Sequence, residues 1–439
     1  MPPAPLRIAL ISEHASPLAS IGSIDAGGQN IYVLNVAKTL ARCGHQVDVL
    51  TRRDSPSLPA TVDVRPGMRV VHLPAGPAKF VPKEQLLHHM PAFLNAAREL
   101  LLNSLDYDVI HAHFFMSGLV GLRLKEIFGV PLAMTFHALG LVRREHQGAN
   151  DGFPPVRVAI ERCIVRDADR LIAECPQDET DLQRLYGARA ENISTVPCGV
   201  DLHEFGPGCK AGARRELGLD DAEFLILQLG RMVPRKGVDN VVRALALLGP
   251  DVKARLLVVG GESARPDPQA TPEIGRLQRL AEACGVADRV TFTGQRQRHE
   301  LRACYQAADV FVTTPWYEPF GITPLEAMAS GTPVIGSAVG GIKHSVVDGI
   351  TGFLVPPHDP AALAERLRQL HENRWLGQAM GRSGVRRVRA LFTWDRVAAD
   401  LTDVYHDIHA RSPERLAAPQ RITSVVRPAA AVYRIGAHA

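Results

Sequence analysis

The sequence predicts an α/β protein made of two Rossmann-like domains facing each other across a cleft. Three observations carry this. Short β-rich runs alternate with helical patterns along the chain, the arrangement of parallel sheets covered by helices on both faces. The rhythm breaks once, at Pro197-Cys198-Gly199-Val200-Asp201 and the Gly/Pro-containing stretch Phe205–Gly212, and then restarts. The chain has 439 residues, enough for two cores, since a single core rarely grows beyond about 250–300 residues.

In the first half, strands are expected at Arg7–Ser12, Val47–Leu50, Val70–Leu73, Val109–His111, Leu132–Phe136, Arg170–Ala173 and Ile193–Val196. Between the first two, Val33, Val36, Ala37 and Leu40 follow the spacing of one helix face, with Gly44 as the stop. In the second half the expected strands are Phe224–Leu229, Arg255–Val259, Val290–Thr293, Val310–Thr313, Pro333–Gly336 and Gly352–Val355. This divides the chain into residues 1–203 and 204–392. Trp394–His409 reads as a last amphipathic helix (393–410) packing back toward the N-terminal domain, and 411–439, rich in Ala, Pro and Arg, is expected to be poorly ordered.

Composition narrows the class. Hydrophobic content of 46% and charged content of 22% are ordinary for a globular protein, and a net charge of +4 gives no reason to invoke nucleic acid. The seven cysteines form no Cys-x-x-Cys, which fits a reduced, cytoplasmic setting without zinc or a disulfide framework. The apolar run Ile8–Ile11 is too short for a signal peptide, and nothing reaches transmembrane length. The Arg382, Arg386, Arg387, Arg389 cluster reads as a solvated helix face ahead of a peripheral membrane contact. A homodimer is compatible with the sequence and not indicated by it.

The run Glu318-Pro-Phe-Gly-Ile-Thr-Pro-Leu-Glu326 joins two carboxylates, a glycine-bearing loop and a helix start within nine residues. Carboxylates hold hydroxyls and bare N–H groups at a helix N-terminus hold phosphates, so the run suits a ligand that is part sugar and part diphosphate. Thr323 is expected as N-cap, Pro324 as first helical residue and Gly331 as stop. Glu326 then reads either as a capping-box partner or as a ligand group. Trp316, Tyr317 and Phe320 read as packing.

Other candidates fall at strand ends. Arg231 follows Gly230, and Lys236 comes five residues later; two cations beside a glycine neutralise a diphosphate and stabilise it as a leaving group. Arg235 reads as part of a solvated loop. Gly27 and Gly28, in Asp25-Ala-Gly-Gly-Gln-Asn30, allow close backbone approach before a helix, yet fit neither the G-x-G-x-x-G nor the Walker pattern. A dehydrogenase and a P-loop ATPase therefore lose support. His137 ends another strand, where it serves either a sugar hydroxyl or the fold. His111 and His113 share a strand face, but no third ligand is indicated and no metal is predicted. Gly340-Gly341 offers further backbone amides or a plain turn.

With these residues in hand, the chain resembles a retaining glycosyltransferase of the GT-B fold, in the family 4 group, over about residues 7 to 410. The Glu318…Glu326 run, Gly230-Arg231…Lys236-Gly237 and Asp25-Ala-Gly27-Gly28 stand in that family's order. The resemblance implies an N-terminal acceptor domain and a C-terminal nucleotide-sugar domain. It implies catalytic roles for His137, Arg231, Lys236 and Glu318, and donor contacts from Gly28, Asn30, Gly294, Gly321, Ile322, Thr323 and Glu326. Glu318 would hold donor-sugar hydroxyls and Glu326 the ribose. It implies neither metal nor cofactor, the nucleotide sugar being a substrate, with UDP-sugars ahead of GDP-mannose.

Within the family, Ser12-x-His14-x-Ser16-Pro-Leu18…Asp25–Val33 is similar to the mycothiol-pathway inositol phosphate glycosyltransferases, with sucrose-phosphate synthases near by. Lys83 and Arg157 match that subgroup's basic acceptor positions. Phe114 and Ala138 stand where it has a tyrosine and a threonine. The acceptor is thus unidentified, with Lys83, Arg143 and Arg144 hinting at an anionic one. The second reading is a catalytically silent GT-B scaffold that binds nucleotide or sugar.

Overall fold

A computed structural model describes residues 4–19, 27–104, 106–148 and 151–412. The Asp25-Ala26 half of the glycine motif and the tail from residue 413 onward lie outside the described residues.

The N-terminal half runs β1 (Arg7–Ile11), α1 (Gly28–Arg42), β2 (Gln46–Arg52), β3 (Thr61–Arg65), β4 (Met68–Leu73), α2 (Met90–Ser104), β5 (Val109–His113), α3 (Phe115–Phe128), β6 (Leu132–Thr135), α4 (Gly140–Gln147), α5 (Val156–Asp167), β7 (Arg170–Ala173), α6 (Pro176–Tyr186) and β8 (Ile193–Thr195). The C-terminal half runs α7 (Lys210–Glu216), β9 (Phe224–Leu229), α8 (Val238–Leu247), β10 (Ala254–Val259), α9 (Pro272–Ala283), β11 (Val290–Phe292), α10 (Arg298–Ala307), β12 (Val310–Thr313), α11 (Ile322–Ala329), β13 (Val334–Ser337), α12 (Ile342–Ser345), β14 (Gly352–Val355), α13 (Pro360–Glu372), α14 (Arg374–Leu391) and α15 (Trp394–Arg411).

Two sheets result. The first has eight strands in the order β3-β4-β2-β1-β5-β6-β7-β8, the second six in the order β11-β10-β9-β12-β13-β14. All described pairings are parallel except β3 with β4. The expected strands are present within a residue or two at each end, and β3 is an addition. Its Thr-Val-Asp-Val-Arg sequence lies on a sheet edge with every residue at least partly exposed, so it carries no apolar run.

Central strands β1, β5, β6, β9 and β12 are buried on both faces, as parallel strands under two helical layers must be. Val33, Val36, Ala37 and Leu40 of α1 are fully buried against the first sheet. In each sheet the chain order reverses beside one strand, β1 between β2 and β5, and β9 between β10 and β12. Crevices open at the carboxyl ends of strands at such switch points, which is where ligands bind in doubly wound sheets.

Two chain crossings join the halves. Val200 N–H donates to Phe392 O at 2.9 Å, and Val200 bridges Thr393 in parallel. Beyond that bridge α15 lies on the N-terminal half: Tyr405 Oη is 2.7 Å from His111 Nδ1, Thr402 Oγ1 3.2 Å from His45 Nε2, and Asp407 pairs with Arg170 at 2.6 Å. Among the described residues, no helix is long and apolar enough to cross a membrane.

Candidate active site

The carboxyl ends of β1, β5, β6 and β7 deliver His14, Phe114, His137 and Glu174 to one wall of a cleft of about 180 Å³. Two of these have a backbone that side chains rarely adopt: φ is +79° at Phe114 and +56° at His137. Left-handed backbone at a bulky residue costs of order 1–3 kcal/mol and persists only where its surroundings fix it, characteristically at functional sites. At Phe114 the N–H donates to Thr135 O at 2.9 Å. His137 is held by its ring, with Nδ1 3.0 Å from Glu174 Oε1 and Nε2 3.1 Å from His113 Nδ1. Cys198 Sγ–H also donates to Glu174 Oε1, at 3.2 Å.

His111 is spent on Tyr405 and on Thr135 Oγ1 at 2.8 Å. Burial pulls its imidazole down to about 3, and burial, then His111 and His137, holds His113 well below the ordinary range. Both are neutral structural histidines. Among the described residues, no group of three or more His, Cys, Asp or Glu side chains is placed to hold a metal ion.

The opposite wall comes from the C-terminal half: Arg231 and Arg235 after β9, and the loop Tyr317–Ile322. Lys236 and Glu318 form a half-buried ion pair. Burial is the largest influence on each, lowering the ammonium and opposing the carboxylate's charge; Lys236, Arg235 and Arg231 outweigh it at Glu318, whose carboxyl sits below its usual range. The loop's shape is fixed from behind. Gly340, at φ +42°, lies so close that a Cβ would fall 1.8 Å from Glu318 O, and Gly341 N–H donates to Pro319 O at 3.1 Å. Those glycines brace the loop, and the Gly341 amide is spent on it.

The walls touch. A Cβ on Gly28 would lie 3.9 Å from Ile322, Cys175 Sγ–H donates to Pro319 O at 3.3 Å, and Lys343 Nζ to Gln177 Oε1 at 3.0 Å. Tyr317 reaches α4, accepting from Gln147 and stacking on His146 with centroids 4.9 Å apart. A second cavity of about 250 Å³ adjoins the first through Ala138, Arg143, Tyr317, Glu318 and Pro319. Larger hollows of about 530 and 590 Å³ lie elsewhere and share no lining residue with this cleft.

Of the residues singled out from the sequence, Gly28, Asn30, Lys83, His137, Arg231, Glu318, Gly321 and Ile322 line the cleft, and Lys236 stands behind Glu318. Asn30 is internally engaged: its Oδ1 accepts from Gly27 N–H at 2.9 Å and its Nδ2 donates to Ser16 O at 3.0 Å, shaping the glycine loop.

The N-cap and capping-box expectations need correction, and Glu326, Gly294 and Arg157 lie outside the cleft lining. Thr323 is not the N-cap of α11, because the helix starts two residues earlier, at Ile322 with Gly321 as N-cap at φ +89°. Glu326 is consequently too deep in the helix for a capping box. It is 2% exposed and accepts from Arg298 Nη1 at 3.0 Å and Tyr305 Oη at 2.8 Å, outside the cleft lining. Gly294, at φ +73°, packs under Ser263 and Ala264, also away from the cleft. Arg157 is 1% exposed, binding Glu161 at 2.7 Å and Ala138 O, with Phe114, Phe115 and Phe153 rings around its guanidinium.

Sequence reading also missed residues. Arg235 lines the cleft with its Cζ 5.3 Å from the Tyr317 ring centroid and a buried Nη1 that has no partner. His14 stood in the Ser12–Leu18 run without a role of its own, Tyr317 read as packing, and Glu174 carried no motif to mark it.

Two Rossmann-like domains with a cationic loop and a glycine-edged helix start facing a strained histidine define a GT-B glycosyltransferase architecture. Residues 26–204 match the family described as Glycosyltransferase Family 4, and residues 210–387 match Glycosyl transferases group 1. A D-inositol 3-phosphate glycosyltransferase of Xylanimonas cellulosilytica is 39% identical over 93% of this chain and 98% of its own length. One from Corynebacterium diphtheriae is 37% identical over 92% and 95%. Among solved structures, sucrose-phosphate synthase of Thermosynechococcus elongatus matches with TM-score 0.85 and 37% identity, covering 93% of this chain and all (100%) of its own. Anabaena HepE in complex with UDP and glucose shares the fold, with TM-score 0.71 and 20% identity over 91% of this chain and 99% of its own. The chain belongs to the family 4/group 1 glycosyltransferases, enzymes that use nucleotide-sugar donors.

Proposed function

We propose that the chain is a retaining, metal-independent hexosyltransferase that takes its sugar from a UDP-sugar and delivers it to a phosphate-bearing acceptor. The observation that carries this reading is the cationic group Arg231, Arg235 and Lys236 gathered around Glu318, opposite the Gly28 loop. Three positive charges at a helix start supply the neutralisation that a departing diphosphate needs. Arg235 Nη1, buried without a partner, is a donor in want of an acceptor.

Retention is supported by the state of the cleft carboxylates. Glu174 accepts from His137 and Cys198, and Glu318 is paired with Lys236, so neither is disposed as a covalent nucleophile. In front-face transfer, the bond from the sugar's C1 to the diphosphate oxygen breaks. The acceptor oxygen bonds to C1 on the same face, and its proton passes to a leaving phosphate oxygen. The phosphate-bearing acceptor rests on the names of the relatives at 37–39% identity and on Lys83 and Arg143 in the cleft lining.

The test is a mass-spectrometric screen of UDP-glucose, UDP-N-acetylglucosamine, ADP-glucose and GDP-mannose against inositol 3-phosphate and hexose phosphates, with and without EDTA. The expected result is EDTA-insensitive transfer from a UDP-sugar with the α configuration kept. Nucleotide binding in calorimetry without turnover on any pair would favour the silent-scaffold reading instead.

A further inference from the structure

We propose that Glu174 is a positioning residue for His137, its carboxylate setting the tautomer of the His137–His113 pair. The inference rests on the transferase reading above and on the place of His137 in the lining of the cleft that also holds Arg231, Arg235 and Glu318. Glu174 follows directly on β7 and is 3% exposed. A carboxylate so buried is tolerable only where donors satisfy it. Two do so at one oxygen: the His137 ring at 3.0 Å and the Cys198 thiol at 3.2 Å.

The proton positions then follow. A carboxylate only accepts, so His137 Nδ1 carries the proton. His137 Nε2 is left as an acceptor, and His113 Nδ1 donates to it across 3.1 Å. His113 Nε2 is left as a bare lone pair, and that atom is indeed buried with no partner. Reversing the tautomers would set two lone pairs, on Nδ1 and Oε1, against each other. With both nitrogens tied, the ring cannot swing, and Tyr32 closes its remaining side edge-on with centroids 5.0 Å apart. Two bonds at the ring are also what a residue at φ +56° needs to stay there. Glu174 thus fixes where the β6 end presents His137 to the cleft, without touching the sugar.

The test pairs spectroscopy with kinetics on the full chain. In ¹⁵N-histidine NMR of the free protein, wild-type His137 should show a protonated Nδ1. Glu174→Gln, whose amide oxygen still accepts, should keep that signature, while Glu174→Ala should give a mixture of tautomers. E174A should lower kcat on the order of 100-fold, the loss expected from a misplacement of about 1 Å. Its KM for donor and its UDP affinity should stay within about twofold, and E174Q should regain most of kcat. A protonated Nε2 on wild-type His137, or an E174A kcat within about twofold of wild type, would overturn the assignment. So would an E174Q as slow as E174A. If E174A fails to fold, the wild-type and E174Q spectra still decide. Absence of turnover in the wild type would sink the transferase reading alone, since the tautomer measurement needs no activity.

Discussion

Replacing Arg157 by Met should damage the fold and leave the nucleotide site alone. The guanidinium has no exposed face to offer a ligand: it sits with Cζ 4.6–5.0 Å from three phenylalanine ring centroids and binds the equally buried Glu161. Removing one partner of a buried pair costs about 3–5 kcal/mol, because the other charge is left uncompensated. Here Glu161 keeps two bonds from Gly140 N–H at 3.1 Å and one from Tyr186 Oη at 2.5 Å, which places the loss near the lower end. In a domain of about 200 residues, each kcal/mol moves Tm by about 2–4 °C, so R157M should melt about 6–12 °C lower. Pairing it with Glu161→Gln removes both charges and should recover most of that loss. Thermal and urea denaturation give the stabilities, with UDP affinity measured alongside. An R157M that melts with wild type while its acceptor KM rises tenfold would refute the reasoning and make Arg157 a ligand contact after all.

Lys236→Ala should lower turnover about 10- to 100-fold, the loss of one charge-assisted hydrogen bond worth about 1.5–3 kcal/mol, measured as nucleotide release. Gly340→Ala should abolish nucleotide affinity in calorimetry, since its Cβ would fall on Glu318 O. In thiol titration of the native protein, the exposed Cys43 and Cys209 should react quickly. Burial holds Cys304 up at about 11 and Cys175 at about 12, with Cys198 well above its ordinary value, so these three should wait for unfolding.

Acid should destabilise the chain through His111 and His113, whose depressed values mean that the unfolded state takes up protons the folded state refuses. The contribution of His111 is full above pH 6.5 and is lost as pH falls toward 3, and that of His113 is lost in the same direction. Asp178 opposes them: burial, then Glu174, raises its carboxyl from 3.8 to about 7, so its contribution is full below 3.8 and lost as pH rises through 7. Between these limits these three groups leave a net slope of about one proton, or about 1.4 kcal/mol per pH unit. Asp178→Asn should steepen it toward two in urea titrations at pH 5 and 6.

The fold was legible because both sheets are parallel and buried, so their strands read as apolar runs; β3 escaped because an edge strand need not be apolar. The cleft's C-terminal wall was legible too, since Gly230-Arg231, Lys236-Gly237 and Glu318 carry their chemistry within short spacings. What the spacing hides is which side chains satisfy each other. Lys236 and Glu318 are 82 residues apart and pair directly. Glu326 looked poised at a helix start, yet Arg298 and Tyr305 from α10 claim both its oxygens. Arg157 carried the right charge, but an (i, i+4) Glu161 and an aromatic box enclose it, with Nη1 buried and unpartnered. Glu174 had no motif, and only the meeting of β6 and β7 brings it to His137.

The return of α15 has a consequence for anyone recombining this chain with its relatives. By connectivity the helix belongs to the C-terminal half, but by contact it is an organ of the N-terminal one, filling the place beside β5 where Tyr405 meets His111 and Thr402 meets His45. A chimera that exchanges the acceptor half by cutting once near residue 200 would graft a foreign sheet onto a mismatched plug. The exchangeable unit is discontinuous, and a functional hybrid has two seams, one at Val200 and one at Thr393.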